Sequence, residues 1–391
     1  MTPTPSLSLP LPLPLPLYDR LKHELGIRRE ALLFRSRKGM SGQGALELRS
    51  NDYLALAKDP LVIAGANRAL SEYGASASAS PLVSGYFPIH KELEGRLAKL
   101  HGYPHALLMT SGYAANCSVL SCLPGPGDLV LADRLAHQSI LAGMQSSGAK
   151  FHRFAHNNLE KLERELVQKT ERFRNIYVVT ESVFSRDGDG PDLVWLARLR
   201  DKYGFIWILD EAHAVGWHGA TGAGMLEESG IKAAADIVVG TLGKAFGSQG
   251  AYVLAHHEAI IDQLVNHAGE YIYSTFLSPV LAGAALGALD RLKELATERP
   301  GWHHRSRQWR ERLGGLGVEL RMDHSPIIPI PLGDEKSAMA KAEKLAAHGV
   351  LVSAIRPPTV PKGTARLRLS LNRNLNDSDW EKFVLAWEKS A

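Results

Sequence analysis

Two stretches of the chain carry residue types that can do chemistry together. The apolar run Phe205-Ile206-Trp207-Ile208-Leu209 ends on Asp210-Glu211, with His213 one helical step beyond the acid. A second run, Ile237-Val238-Val239, leads into Gly240-Thr241-Leu242-Gly243-Lys244-Ala245-Phe246-Gly247, where Lys244 stands among three glycines. Glycines let a backbone turn tightly and approach a ligand closely. A lysine in a crowded, partly dry setting gives up its proton more readily, which makes its amine a nucleophile toward a carbonyl. Either charge alone reads as an ordinary solvated side chain. An acid and an amine at the ends of two buried strands mark a site, because that is where α/β folds place ligands.

The elements that must position these residues follow from pattern. Short apolar runs at 106–109, 128–131, 176–180, 205–209 and 237–239 read as buried, mainly parallel strands. Helices are expected at 60–73, around His90-Lys91-Glu92-Leu93-Glu94, and at 159–169, giving an α/β fold. A long helix at 279–295 should connect to a smaller domain that alternates helices (305–313, 335–348) with short strands (327–330, 351–353, 366–370). Residues 18–38 read as an amphipathic helix rich in basic residues. Before it, proline at every second position from Pro10 to Pro16 opposes a helix, and no basic residue precedes the leucines, so a disordered or polyproline II tail is expected rather than a signal peptide. The resulting division is a tail at 1–17, a helical segment at 18–50, a large domain at 51–282 and a small C-terminal domain at 283–391.

Three further motifs bear on the site. Thr110-Ser111-Gly112-Tyr113-Ala114-Ala115-Asn116 follows a strand with a small-residue turn and a helix start, whose unpaired amides suit an anion. The aspartates of Glu181-Ser182-Val183-Phe184-Ser185-Arg186-Asp187-Gly188-Asp189 are expected to fix a turn, since no calcium-loop spacing follows, and no metal site is expected. In Ala354-Ile355-Arg356-Pro357-Pro358-Thr359-Val360-Pro361 the prolines hold the chain extended, presenting Arg356 on a stiff arm as a bidentate partner for a carboxylate.

Composition narrows the function classes. At 391 residues, with 45% hydrophobic and 22% charged residues, the chain is an ordinary globular protein with room for a substantial core. A formal net charge of +4, without a basic run interleaved with aromatics, gives no support for nucleic-acid binding. No run is long enough to span a membrane. Cys117 and Cys122, five apart in a predicted helix, point to different faces and read as structural thiols in a reducing cytoplasm.

Pyridoxal 5'-phosphate asks a protein for an amine to form a Schiff base and a carboxylate to keep its pyridine nitrogen protonated, so that the ring accepts electrons. Lys244 and Asp210 supply that pair. Asp210-Glu211-Ala212-His213 followed by Gly240–Gly247 resembles the α-oxoamine synthases, fold-type I pyridoxal-phosphate enzymes that condense an amino acid with an acyl thioester and release CO₂. The resemblance covers nearly everything from Ser50 to Leu371. It implies a large domain with a mainly parallel seven-stranded sheet flanked by helices, plus a smaller C-terminal α/β domain. It also implies roles. Lys244 carries the cofactor and moves protons, Asp210 pairs with the pyridine nitrogen, and His213 and Ser185 lie at the phenolic oxygen. His137, in Asp133-Arg134-Leu135-Ala136-His137-Gln138-Ser139, stacks on the ring. Gly112, Tyr113 and Thr241 hold the phosphate, joined by Ser274 and Thr275 of a neighbouring subunit, so that a homodimer with shared sites is implied. Asn51, in Ser50-Asn51-Asp52-Tyr53-Leu54, lies near the substrate amino acid, while Arg35 meets the acyl substrate's carboxylate; Arg356 is expected to bind substrate through a carboxylate. The loop 74–85 carries alanines where the family commonly has glycines, which stiffens it. The string Ala354–Pro361 is most like the branch that joins L-alanine to a pimeloyl thioester, carried by coenzyme A or an acyl carrier protein. Sister branches that use glycine or make aminoketone signals are the alternative. Non-catalytic partner subunits commonly lack the lysine that is present here.

Overall fold

In the computed structural model, residues 15–37, 44–169 and 171–390 are described; the expected tail at 1–14 lies outside them. The described strands, in chain order, are β1 (Leu46–Glu47), β2 (His105–Met109), β3 (Leu129–Asp133), β4 (Lys150–Phe154), β5 (Ile176–Glu181), β6 (Ile206–Asp210), β7 (Ile237–Thr241), β8 (Ala251–Ala255), β9 (Ile327–Gly333), β10 (Val350–Leu351), β11 (Ser353–Ile355) and β12 (Ala365–Ser370). Seven of them form one sheet in the order β2-β8-β7-β6-β5-β3-β4, in which β8 alone runs against the others. Strands β3, β5, β7 and β8 are buried at every position, as strands covered on both faces must be. The edge strand β4, Lys-Phe-His-Arg-Phe, instead shows its charges to solvent, which blunts pairing with another chain.

Helices cover this sheet. Pro60–Tyr73 begins where Asp59 accepts a hydrogen bond from the Leu61 amide and stops at Gly74, whose φ is 82°. It crosses Pro279–Glu294 at backbone distance: a Cβ on Gly65 would lie 2.2 Å from the Gly283 carbonyl oxygen, and one on Gly287 would lie 2.3 Å from that of Leu61. Leu159–Lys169 buries Leu159, Leu162 and Leu166, one face of the helix.

The C-terminal part holds a second, antiparallel sheet, β11-β12-β9. The expected strand at 351–353 proves to be two: β10 pairs with β1 and β11 pairs with β12. Residues 46–48 thus belong structurally with the C-terminal elements. The helix Pro279–Glu294 runs through position 282, where a boundary was expected, and the expected helix 305–313 is part of a longer one, Arg299–Gly315.

The N-terminal expectation needs correction. The first helix spans Leu15–Glu30, so residues 15–17 are helical rather than tail; Pro16 sits in the first turn, where a missing N–H costs nothing. That helix ends eight positions before Lys38, since Leu32 turns left-handed at φ 55° and the amides of Leu33 and Phe34 both close on the Arg28 carbonyl. It is not amphipathic against this chain, because Tyr18, Leu21, Leu25 and Ile27 are exposed. Among the described residues, no helix is long and apolar enough to cross a membrane.

Candidate active site

The parallel strands converge on one crevice at their carboxyl ends. There, Asp210 closes β6, Glu181 closes β5 and Thr241 closes β7, while His137 follows β3 and Gly112 follows β2. Together with Tyr113, Asn116, Ala212, His213 and Lys244 they line a cavity of about 210 Å³.

Each side chain is placed by a local device. The Lys244 turn is closed by the Leu242 amide on the Gly250 carbonyl and by Thr241 Oγ1, which donates to the same carbonyl at 3.1 Å. Gly247, at φ 60°, is required there, since a Cβ would lie 2.3 Å from the Ala57 nitrogen. Ser111 caps the helix Gly112–Cys122 by accepting from the Ala114 amide, leaving its first amides turned toward the cavity. His137 caps the helix Gln138–Ser146, accepting from the Ser139 amide at Nδ1, and also lines the cavity. Asp210 is held on both oxygens: Oδ1 accepts from the Ala212 amide at 2.8 Å and Oδ2 from Asn116 Nδ2 at 2.7 Å.

The electrostatics weaken the hold of the Lys244 amine on its proton. Lys244 opens part of its surface to the cavity, yet its amine is enclosed by protein, and that burial lowers its pKa against the pull of Asp210 and Glu181. Burial, and then the charge of Asp210, push Glu181 up to about 8, so it is largely protonated at neutral pH. His213 is held well below its ordinary value by burial and by the neighbouring Lys244 and Arg368. Its Nδ1 lies 2.7 Å from the Tyr53 hydroxyl, which in turn donates to Asn51 Oδ1 at 3.2 Å.

Of the residues picked out by sequence, Gly112, Tyr113, His137, Asp210, His213, Thr241 and Lys244 share this cavity. Asn51 joins it indirectly: Arg368 Nη2 donates to Asn51 Oδ1 at 2.7 Å and to the Tyr53 hydroxyl at 3.1 Å. Ser185 is half-buried and lies outside the lining, as do the half-buried Ser274 and the exposed Thr275. Arg35 and Arg356, far apart in sequence, line one separate cleft of about 730 Å³ with Phe34, Met339 and Thr359. In it Arg35 donates to Thr359 Oγ1 at 3.1 Å and Arg356 to the Phe34 carbonyl at 2.7 Å. The aspartates of the 181–189 turn do fix loops: Asp189 accepts from His156 and Asn157, and Asp187 pairs with Arg366.

Sequence reasoning missed Asn116, Glu181, Tyr53 and Arg368 as members of the site. Asn116 lies one turn along the helix from Gly112 and so shares its face, which was a readable signal. Arg368 alternates in β12 with the buried Leu367 and Leu369, which sends its guanidinium to the opposite side.

The residues present fit pyridoxal phosphate. A buried carboxylate, an enclosed amine, a histidine and a helix N-terminus meet in one cavity, and Asn116 Oδ1 and Glu181 Oε1 are buried there with no hydrogen-bond partner among the described residues. Asp210 would face the ring nitrogen, Lys244 the carbonyl carbon, and the amides of Gly112 and Tyr113 the phosphate.

Comparison with known proteins agrees. The family model "Aminotransferase class I and II" matches residues 44–386. The 8-amino-7-oxononanoate synthase of Chromohalobacter salexigens is 43% identical over 332 residues, covering 85% of this chain and 86% of that one. That of Saccharophagus degradans is 39% identical over 383 residues, covering 95% and 96%. A serine palmitoyltransferase from S. paucimobilis, solved with PLP and myriocin bound, superposes with a TM-score of 0.87 at 27% identity, covering 96% of this chain and 98% of that one.

Proposed function

The chain belongs to the class I and II aminotransferase family, and from that premise we propose that it condenses L-alanine with a pimeloyl thioester, releasing 8-amino-7-oxononanoate, CO₂ and the free carrier thiol in biotin synthesis. The observation that carries this reading is the enclosed Lys244 amine facing buried Asp210 in one cavity, in a chain whose full-length relatives bear that enzyme's name.

Bound pyridoxal phosphate supplies the electron sink for the carbanion formed at the alanine α-carbon. The rest falls to the chain's own residues. Lys244, whose hold on its own proton is weakened by burial, removes and returns the proton at that carbon. Asp210, fixed through both oxygens, would keep a proton on the ring nitrogen. His213, whose Nδ1 lies 2.7 Å from the Tyr53 hydroxyl, would hydrogen-bond the phenolic oxygen through its other ring nitrogen, and Ser185 would serve the same oxygen. His137, in the same cavity, would stack on the ring and assist the oxyanion formed at the thioester carbonyl.

Substrate carboxylates find guanidinium groups. Arg368 is held by Asn51 and Tyr53, and its buried Nε has no partner among the described residues, which suits it to the alanine carboxylate. Arg35 and Arg356, together in the outer cleft, suit the far carboxylate of a pimeloyl chain, on coenzyme A or on a carrier protein.

We further assign the active form as a cytoplasmic homodimer. The loop 74–85 and the segment 273–278 are tied together, the Phe276 amide to the Ala79 carbonyl and Ser278 Oγ to that of Ala75. They leave Leu82, Val83 and Tyr273 exposed, the last at 84%, apolar area that a second subunit would cover while bringing Ser274 and Thr275 to the partner's phosphate. Both cysteines are free, in keeping with a reducing cytoplasm.

A competition assay tests the substrate assignment. With equal alanine, glycine and serine plus pimeloyl-CoA, mass detection should find the alanine product in large excess. A dominant glycine or serine product would transfer the chain to a sister branch.

A further inference from the structure

Away from the active site, three segments distant in sequence bring nitrogen and oxygen donors together. His218 and Glu228 come from the chain between β6 and β7, His303 from the helix Arg299–Gly315, and His324 from the approach to β9. One donor atom from each of the four lies within 4.8 Å of every other. We propose that His218, Glu228, His303 and His324 bind a divalent transition-metal ion, zinc(II) above all.

The geometry is that of a ligand set slightly expanded. His324 Nε2 stands 2.7 Å and His218 Nδ1 3.1 Å from the Glu228 carboxylate. Ligands about 2.0–2.1 Å from a tetrahedral zinc are themselves roughly 3.3 Å apart, so little movement is needed. The three imidazoles are already packed, with His303 and His324 ring centroids 4.4 Å apart and His218 and His324 5.1 Å apart. His303 donates from Nε2 to the Trp217 carbonyl at 2.8 Å, which leaves Nδ1 as its lone-pair nitrogen. A backbone carbonyl behind a histidine in this way is the outer support that metal-ligating imidazoles commonly have.

His218 is 3% exposed, so this donor is screened from solvent. The positive groups nearby are compensated: Arg310 and Arg321 both pair with Asp323. An adjoining cavity of about 140 Å³, lined by His218, Glu228 and His324 with Asp189 and Asp323, provides a way in. Three imidazoles and one carboxylate suit zinc or a neighbouring transition ion far better than calcium or magnesium. The donors of this set are spread over more than a hundred residues, with no short motif to mark them in the sequence. An ion here would tie the loop that follows the catalytic acid to the C-terminal part of the chain, without touching the cofactor cavity.

The test is calorimetric titration of the tag-free, cofactor-loaded enzyme with zinc chloride after exhaustive dialysis against chelator. One ion per chain should bind and raise the thermal midpoint, with magnesium far weaker. His303→Gln and His324→Gln should each weaken zinc binding by on the order of tenfold or more, while the absorbance of the lysine-bound cofactor and the near-UV circular dichroism show the fold intact. Absence of stoichiometric binding by the wild type would overturn the proposal. So would zinc binding left unchanged in both folded variants, which would place the ion elsewhere.

Discussion

His156 offers a sharp test of how the site's loops are held. Its Nδ1 lies 2.9 Å from Asp133 and its Nε2 2.8 Å from Asp189, so one ring bridges the turn that carries His137 and the turn that carries Ser185. Burial disfavours its charge, but the hydrogen bonds and charges of the two aspartates prevail and raise it from 6.5 to about 9. At about 1.4 kcal/mol per pH unit, that difference corresponds to roughly 3 kcal/mol of stability. Because the folded value lies above the unfolded one, the contribution is fully present below pH 6.5 and is lost as pH rises to about 9. In His156→Gln the pH-dependent part disappears. Urea unfolding of both proteins at fixed concentration, from pH 6 to pH 10, should give a wild-type advantage that is flat at first, declines across that window and then levels off. The same decline should appear in turnover, through loss of His137 placement. A constant difference across the whole range, or one that grows with pH, would refute the bridging argument.

Other expectations are simpler. Lys244→Ala should bind pyridoxal phosphate without the absorbance of the lysine-bound form and turn over negligibly. Arg356→Met should raise KM for the pimeloyl thioester about tenfold or more, as loss of a charged hydrogen bond would, while leaving cofactor affinity unchanged by equilibrium dialysis. Gly283→Val should destabilise by about 1–3 kcal/mol in chemical denaturation, since its Cβ would meet the Gly65 carbonyl oxygen. Glu181, raised from 4.5 to about 8, holds a proton in the folded state that the unfolded chain releases. It therefore subtracts from stability as pH rises between those values, and cofactor-free Glu181→Gln should gain on the wild type across that window.

Much of the sheet could be read in advance because interior parallel strands are continuous apolar runs. That holds for β3, β5, β6 and β7, whose ends also carry the acid and the lysine. Strand β4 escaped notice because an edge strand with two exposed basic residues has no such run, and β8 because it follows the Lys244 turn with little punctuation between. The helix at 60–73 was legible from Pro60 at its start and Gly74 after its end. The basic stretch at 18–38 was overextended because nothing local announces the left-handed Leu32. In the site, residues next to a strand end were legible, since strand ends converge whatever the loops do. Arg368 and Tyr53 were not, because they reach the cavity from another sheet and from the segment after Ser50 through side-chain contacts alone.

The central claim is a carbon–carbon bond formed with loss of the amino acid's carboxyl group. It is tested most directly by supplying alanine labelled at its carboxyl carbon together with pimeloyl-CoA, and following labelled CO₂ and free thiol on the cofactor-loaded enzyme. One labelled CO₂ per thiol, with 8-amino-7-oxononanoate as the product, is the expected result. Thiol released without CO₂, or label retained in the product, would contradict it.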